Sequence, residues 1–203
     1  MYIGNKNTNN WGKLTDYEIG APEVQTRFIE VPARNGLIDA TESLLGYPTY
    51  FNRTIKLEIT VVKNRLTDFR TIYDEVMNYC HGKVRELRFN LENGYFYRGR
   101  CNVSIKQESQ LEGVIEIECN AEPYAYKNTL TTKNIAVGDV SVSSDMPTDL
   151  TIKATSLTKL EYEGEQMEFS IGEHKITYPK LYGNKVITIT QGSGTIEYQE
   201  GKL

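Results

Sequence analysis

Apolar and polar residues alternate along much of the first half of the chain, and this alternation predicts β-strands. Within the segment from Arg53 to Lys63, four apolar residues alternate with Thr54, Lys56, Glu58 and Thr60. Successive side chains of a strand point to opposite faces of a sheet, so this segment is expected to bury one face and expose the other. The apolar residues of the alternation are Ile55, Leu57, Ile59 and Val61.

A different period predicts one amphipathic helix, from about Thr67 to Cys80. Apolar side chains recur here at spacings that place them on one face of a helix. Thr67 is the expected N-cap, Asp68 suits the positive end of the helix, and Gly82 supplies the stop. The apolar face consists of Phe69, Ile72, Tyr73, Val76, Met77 and Cys80.

Three more strands are expected after the helix. Residues 85–91 and 95–105 flank the sequence Glu92-Asn93-Gly94, and an Asn-Gly step between two strand-like runs is a strong hairpin signal. Residues 114–119 alternate again and form the third strand. The first half therefore predicts an α+β domain, with a split or barrel-like sheet and a single helix.

The second half shows no convincing helix, and turn residues interrupt it about every ten residues. This spacing predicts a small antiparallel β-sandwich. Residues 129–137 and 140–149 are rich in Thr, Ser, Asn and Asp, so they are expected to form a connector and loops. The predicted strands cover residues 150–154, 160–162, 167–171, 175–178, 186–190 and 195–198.

Composition agrees with a mainly β chain that has two domains. Thr, Ile and Val make up 49 of the 203 residues, which disfavours a coiled coil. All nine arginines lie between Arg27 and Arg100, and a proline-containing segment, residues 121–128, follows the last predicted strand of the first half. We therefore expect one domain over residues 1–128 and a second over residues 129–203.

Charge and cysteine content exclude some classes of protein. The net charge is −4, which does not match the basic surface of a nucleic-acid-binding protein. No segment approaches the ~18 apolar residues that a membrane-spanning helix needs, so no membrane insertion is expected. The three cysteines are odd in number and widely spaced, which fits a reducing compartment better than a disulfide framework. Residues 1–13 lack the apolar segment of a secretory signal, so we expect synthesis and folding in a cytoplasm.

Candidate catalytic groups are few and scattered. His81 and His174 do not form a pair with metal-ligand spacing, and no phosphate-binding glycine motif occurs. Two pairs of carboxylates share strand faces at the ~6–7 Å spacing that glycoside hydrolases use, although a solvated strand face explains them more simply. These pairs are Glu116 with Glu118 and Glu161 with Glu163. We expect no enzymatic activity, no metal and no cofactor.

A charged segment in the first half is a candidate interface loop. Residues 31–42 contain a proline near a strand end and an Asn-Gly turn, and residues 45–53 follow closely. Charges of both signs concentrate here and can pair across a subunit interface. The proposed interface residues are Arg34, Asn35, Gly36, Asp39, Glu42 and Arg53.

The same segment resembles the N-terminal domain of siphophage distal tail proteins. The resemblance rests on Val31-Pro-Ala-Arg-Asn-Gly-Leu-Ile-Asp-Ala-Thr-Glu42, followed by Gly46-Tyr-Pro-Thr-Tyr-Phe-Asn-Arg53 and an alternating strand. Further matches follow in order at His81-Gly-Lys83, Tyr97-Arg-Gly-Arg100 and the segment 121–126. One departure is Ala33, where the family pattern has a glycine, and alanine resists a positive φ.

The resemblance implies a structural component of a long, non-contractile phage or prophage tail rather than an enzyme. Family members form a hexameric ring at the tail tip, and their N-terminal domains join the tail tube protein to a tail-associated hub or fibre protein. Their C-terminal domains are galectin-like or carbohydrate-module-like sandwiches, and some carry receptor-binding proteins. DNA passes through the lumen without specific binding. The resemblance therefore implies a place at the virion tail tip after assembly in the cytoplasm of a bacterial host.

Two alternatives remain open at this stage. The C-terminal sandwich can act as a carbohydrate-binding module for a host surface glycan, because exposed aromatic rings stack on sugars. The candidate rings are Tyr162, Tyr178, Tyr182 and Tyr198. A hydrolase based on the paired carboxylates is the second alternative, and it requires that Glu116 or Glu161 be essential for an activity.

Overall fold

The computed structural model describes residues 1–63, 68–92 and 94–203. Over these residues the chain is mainly β with one α-helix, as the sequence predicts. It separates into two compact units, one of residues Met1–Ala125 together with Leu203, and one of residues Tyr126–Lys202. One short strand, β10 (Ala125–Lys127), covers the point at which the chain passes from the first unit to the second.

In its described residues the first unit contains nine strands and the helix. Their bounds are β1 Tyr2–Ile3, β2 Lys6–Asn7, β3 Lys13–Ile19, β4 Phe28–Ile29, β5 Ile38–Asp39, β6 Arg53–Val62, α1 Phe69–Cys80, β7 Val84–Arg88, β8 Tyr95–Glu108 and β9 Glu112–Ala121. A short 3-10 turn occupies Thr8–Asn10.

An antiparallel sheet with the order β2-β1-β7-β8-β9-β6-β3 forms the body of this unit. The alternation predicted for residues 53–63 is confirmed in β6, whose odd-numbered residues from Ile55 to Val61 are buried. They pack with the inward residues of β8 and β9, such as Val103 and Ile117. Among the described residues, β2 and β3 are the two edge strands and do not pair with each other, so the sheet is split rather than closed into a barrel.

Helix α1 covers the buried face of this sheet. Its inward residues, Phe69, Val76 and Cys80, are almost fully buried, and each large side chain contributes about 1.5–3 kcal/mol of hydrophobic stabilisation. Asp68 caps the helix, and its side chain accepts a hydrogen bond from the Arg70 amide at 3.2 Å. The predicted cap, Thr67, lies outside the described residues.

The predicted hairpin after the helix is confirmed by antiparallel pairing of β7 with β8, although Asn93 of its turn lies outside the described residues. The expectation for the cysteines is wrong in part. Cys101 and Cys119 lie opposite each other in β8 and β9 and form a disulfide, because consecutive antiparallel strands bring distant positions into register. Cys80 is a free, buried thiol.

The second unit is built from six strands that form one antiparallel sheet, in the order β11-β16-β12-β15-β13-β14. Their bounds are β11 Thr131–Ile135, β12 Gly138–Ala154, β13 Thr158–Tyr162, β14 Glu165–Phe169, β15 Gly172–Gln191 and β16 Gly194–Tyr198. A short strand, β17 (Gly201–Lys202), follows.

The prediction of a connector and loops over residues 129–137 and 140–149 is wrong, because most of these residues belong to β11 and β12. The reason is that small polar residues occupy inward positions of β12. Ser144 and Thr148 are buried, and the Ser144 hydroxyl satisfies its hydrogen-bonding capacity by donating to the Met146 carbonyl at 2.7 Å. A pattern that counts only apolar residues does not recognise such a strand.

Two strands of this unit are much longer than the short runs that the sequence predicts. β12 and β15 pair along most of their length and pass through irregularities between Ser144 and Leu150. Both ends of β12 contribute to one hydrophobic core, through Val142 and Ile152. The six strands therefore belong to one sheet whose longest strand pair is locally irregular, and the division into a two-layer sandwich stays a prediction.

Candidate functional site

Both histidines have structural roles in the described contacts. His81 lies at the C-terminal end of α1, where its Nδ1 accepts a hydrogen bond from the Val103 amide at 3.0 Å. His174 lies 2.8 Å from the Ser170 carbonyl through Nε2, and its ring packs against Phe169. These contacts orient both rings towards the backbone rather than towards a common site.

The candidate carboxylate pairs lie on solvent-facing strand surfaces beside lysines. Glu118 is 3.9 Å from the Lys56 amine, and Glu163 pairs with Lys185 at 3.1 Å. Glu163 also lies in a turn with φ 53°, so it does not continue the strand face that carries Glu161. The arrangement is that of a solvated, charge-paired sheet surface.

Within the described ranges, no group of three or more His, Cys, Asp or Glu side chains is placed to hold a metal ion. In the same ranges, no helix has the length and apolar character that spanning a membrane requires.

The most distinctive surface of the first unit is the segment between β3 and β6, residues 21–52, which we call the arm. Its base is a ribbon in which the Phe51 amide donates to the Glu23 carbonyl and the Gln25 amide donates to the Thr49 carbonyl, each at 2.8 Å. Farther out, β4 pairs with β5, so that Phe28 lies opposite Asp39. The arm is therefore a long, irregular hairpin held by its own backbone hydrogen bonds.

Five of the six predicted interface residues belong to the arm. Arg34, Asn35 and Gly36 form the exposed tip between β4 and β5, Asp39 lies in β5, and Glu42 follows it. Asp39 accepts a hydrogen bond from the Thr41 amide at 2.9 Å, and hydrogen bonds from Thr41 hold the pKa of this carboxyl below its usual value.

The departure from the family pattern at Ala33 has a structural counterpart. Ala33 adopts φ 63°, a left-handed conformation that glycine adopts at little cost and alanine does not. Gly36 in the same tip adopts φ 79°. The Arg34 amide closes the turn by donating to the Val31 carbonyl at 3.2 Å.

Arg53, the sixth predicted interface residue, does not join the others. It begins β6, and its side chain is only 5% exposed. The guanidinium carbon lies 5.3 Å from the centre of the Tyr97 ring, and the Tyr97 hydroxyl donates to Glu92 at 2.9 Å. Arg53 therefore belongs to a buried cluster and not to the exposed loop.

This buried cluster shifts the acid–base equilibria of its members. Burial lowers the pKa of Arg53, while the nearby Tyr97 and Glu92 favour its charged form. Burial raises the pKa of Tyr97 to about 12, and the hydrogen bond to Glu92 acts in the same direction. The Nε and Nη2 atoms of Arg53 have no hydrogen-bond partner among the described residues, so the guanidinium is held mainly by its contact with the aromatic ring.

Sequence reasoning missed the apolar character of the arm, because its large hydrophobic residues follow no strand or helix period. Seven of them are exposed, and Ala40 alone among residues 21–52 is buried. The seven are Val24, Phe28, Ile29, Leu37, Leu44, Leu45 and Phe51. The apolar fraction of residues 21–52 is close to that of the whole chain, so composition gave no signal of this surface.

An open groove of about 820 Å³ runs along the arm. Most of its lining surface is apolar, with Val24, Pro48 and Tyr50 among the contributors, and the carboxylates of Asp39 and Glu42 supply the charged part. The arm thus combines an apolar surface, arginines near its outer end and a groove that carries two carboxylates.

In the second unit, two of the four candidate sugar-stacking rings are unavailable. Tyr162 and Tyr198 are buried in the core, and burial raises the pKa of Tyr162 to about 12. Tyr182 is half-buried, whereas Tyr178 is 79% exposed. A separate groove of about 310 Å³ has a mainly polar lining without an aromatic ring.

No protein-family model matches the chain, and no curated protein matches it. Among solved structures, that of SPP1 Dit (gp 19.1) has the same fold, with a TM-score of 0.68 over 99% of this chain and 98% of that one. The two sequences are 12% identical. The SPP1 protein is described as a paradigm of the hub adsorption apparatus in phages that infect Gram-positive bacteria. The fold expected from the resemblance to distal tail proteins is thereby confirmed.

Proposed function

We propose that this chain is a structural component of the tail-tip hub of a long-tailed phage or prophage. The observation that carries the proposal is the fold shared with SPP1 Dit, which extends through both units. A similarity restricted to one unit would suggest only a common module. The proposed role is non-catalytic.

In its finer form, the proposal is a homo-hexameric ring that joins the tail tube protein to a tail-associated hub or fibre protein, with a receptor-binding protein as a further partner. A ring requires a heterologous interface, in which one patch of each copy binds a different patch of its neighbour. The arm supports this form, because it presents apolar and charged surfaces that the chain does not cover.

The charge of the exposed sheet face in the first unit is compatible with DNA passing without being held. Carboxylates and basic groups are balanced on this face of neighbouring strands, so it has no excess of the basic groups that bind phosphate. The carboxylates are Asp16, Glu18, Glu58, Glu116 and Glu118, and the basic residues are Lys13, Lys56, Arg98, Arg100 and Lys106.

Immunogold electron microscopy tests the proposal directly. Antibodies raised against the purified protein should label one end of the tail on particles induced from the host that carries the gene. Labelling of the capsid would contradict a tail-tip position. So would unlabelled particles in which mass spectrometry, after disruption, detects this chain. We expect assembly to take place in the host cytoplasm, before the particles are released.

Exposure of Tyr178 supports a second candidate, a glycan-binding role for the second unit. Calorimetric titration with host wall polysaccharide should then show binding that Tyr178→Ala abolishes. Ile171→Ala is the matched control, because Ile171 is similarly exposed at 71% but has no ring to stack on a sugar. Silent titrations with the intact protein would reject this role and leave the hub proposal unaffected.

A further inference from the structure

We propose that Asn35, at the tip of the arm, is a site of spontaneous covalent modification in which the side-chain amide becomes a carboxylate. The reaction is deamidation. It needs no enzyme or cofactor, and it goes beyond the proposed hub function without depending on it. The proposal is supported by the residue that follows Asn35, by the freedom of the reacting groups and by the backbone around them.

The chemistry is an attack of the backbone on the neighbouring side chain. The Gly36 nitrogen loses its proton to hydroxide and bonds to Cγ of Asn35, the Cγ–Nδ2 bond breaks, and Nδ2 takes up a proton and leaves as ammonia. Water then opens the resulting five-membered imide at either carbonyl and gives aspartate or isoaspartate. One water is consumed, one ammonia is released and no electron is transferred. Because both reacting atoms belong to one short stretch of chain, the step is unimolecular.

The first supporting feature is the glycine that follows Asn35. A side chain at the following residue would screen the attacking backbone nitrogen, and glycine has none. Gly36 adopts φ 79°, and a Cβ atom added to it would meet no other atom within 4 Å. The space around Gly36 is therefore open.

The second feature is that the reacting groups are not held by hydrogen bonds. Among the residues that the structure describes, neither the Asn35 side chain nor the Gly36 amide makes one. Asn52, near the base of the arm, is the opposite case, because its Nδ2 donates to Asn120 Oδ1 at 2.7 Å. An amide of that kind must lose its hydrogen bond before it reacts, whereas Asn35 has none to lose.

The third feature is the irregular backbone of the tip. Residues 32–37 are exposed and lie between β4 and β5, which pair over only two residues each. An isolated two-stranded hairpin is at best marginally stable in water, and exposed loop tips are where local disorder concentrates. Backbone of this kind can rotate until the Gly36 nitrogen meets Asn35 Cγ, which the fixed dihedrals of a regular strand do not allow.

The modification changes the charge of the tip. Within residues 31–36 the single charged side chain is Arg34, so a carboxylate at position 35 cancels its charge. The isoaspartate product also routes the main chain through the former side chain and lengthens the backbone by one methylene group. Conversion therefore turns a basic tip into a neutral one.

Incubation of the full-length protein in mildly alkaline water enriched in heavy oxygen tests the proposal. Each conversion places one heavy oxygen atom in the new carboxylate. Digestion after glutamate gives the fragment 31–42, in which Asn35 is the one asparagine, and mass spectrometry measures its conversion. An isoaspartyl methyltransferase detects the isoaspartate product independently.

Asn128 is the matched control within the same chain, since it is exposed and lies in a bend but is followed by Thr129. We expect Asn35 to convert at least about tenfold faster than Asn128, because only Asn35 has an unscreened neighbouring nitrogen. The variant Asn35→Gln should leave fragment 31–42 unlabelled over the same period, since its longer side chain must close a less favourable six-membered ring. Circular dichroism shows that the variant is folded.

A synthetic peptide of residues 31–42 sets the length of the experiment, and the incubation continues until this peptide has converted. If Asn35 of the folded protein is then still intact, the turn protects it and the proposal is wrong. Equal conversion of Asn35 and Asn128 also overturns the proposal, because the reaction is then not specific to the tip. Neither result affects the hub, which tail-tip labelling tests separately.

Discussion

Ala33 has a backbone conformation that its side chain resists. An L-residue in the left-handed region costs about 1–2 kcal/mol, and the tip of the arm bears this cost at φ 63°. The family pattern anticipates a glycine here, so this strained position could be recognised from the sequence. Its neighbours Arg34 and Gly36 form a turn that the Asn-Gly step also predicts.

Replacing Ala33 with glycine should relieve this strain and stabilise the turn locally by about 1 kcal/mol. The Arg34 amide, which donates to Val31, should then exchange its hydrogen roughly fivefold more slowly. Amide exchange measured by NMR reports this change. Ala21→Gly, an exposed arm position without a positive φ, should give no slowing, and equal slowing in both variants would contradict the strain.

Cys80 illustrates how burial controls reactivity. The thiol is fully buried on the inner face of α1, and burial raises its pKa to about 11, so thiolate is scarce at neutral pH. We expect the native protein not to react with Ellman's reagent and the unfolded, unreduced protein to release about one equivalent, because the other two cysteines are paired. Unfolded Cys80→Ser should release none. Three reactive thiols in the unfolded, unreduced chain would contradict the pairing of Cys101 with Cys119.

At the scale of the element, the sequence predicts β6 and α1 well because each has a clear period and a single buried face. It fails for β12 and β15. Ser144 and Thr148 occupy inward positions in β12, while Pro179 and Gly183 lie inside β15. Strand patterns treat these residues as interruptions. In the structure Ser144 pairs with Gly183 and Thr148 pairs with Leu181, whereas Pro179 lies in an irregular stretch of β15 before regular pairing resumes.

The packing of α1 on the sheet depends on the absence of a side chain at Gly113 of β9. A Cβ atom there would overlap the Phe69 ring. Gly113→Ala should therefore lower the free energy of unfolding by about 1–3 kcal/mol, measured by urea denaturation. In a chain that also carries Phe69→Leu, Gly113→Ala should lower the free energy of unfolding by less, since leucine leaves more room for the alanine methyl group. A cost that is unchanged in the double variant would show that the two sites are independent.

At the scale of the whole molecule, composition predicts a mainly β chain, and the arginine distribution favours two domains. The structure separates two units between residues 125 and 126. The candidate site was predictable only in part. Arg34 to Glu42 were identified because turn residues and charges concentrate there, but the burial of Arg53 depends on Tyr97 and Glu92, which are distant in sequence.

Three buried acidic groups predict how stability changes at high pH. Burial raises the pKa of Cys80 from 9.0 to about 11, and it raises those of Tyr97 and Tyr162 from 10.0 to about 12. Between these values the unfolded chain releases protons that the folded chain keeps, so the free energy of unfolding should fall as the pH rises from about 9 to about 12.

Urea denaturation at pH 8, 10 and 11 measures this dependence. Tyr162→Phe removes one of the three groups and should make the decline shallower, whereas Tyr178→Phe, at an exposed position, should not. A free energy of unfolding that stays constant up to pH 11 would contradict the raised pKa values.

The arm has a consequence for how the molecule is digested. Trypsin cuts after arginine and lysine in segments that can open locally, and Arg27 and Arg34 lie in a hairpin that rests on no core. The enzyme should therefore nick the arm before it reaches the sheet of either unit. Since only Ala40 of residues 21–52 is buried, the nicked chain can keep both cores intact. Protection of these two arginines from trypsin in assembled particles would then show, without any label, that the arm is covered there.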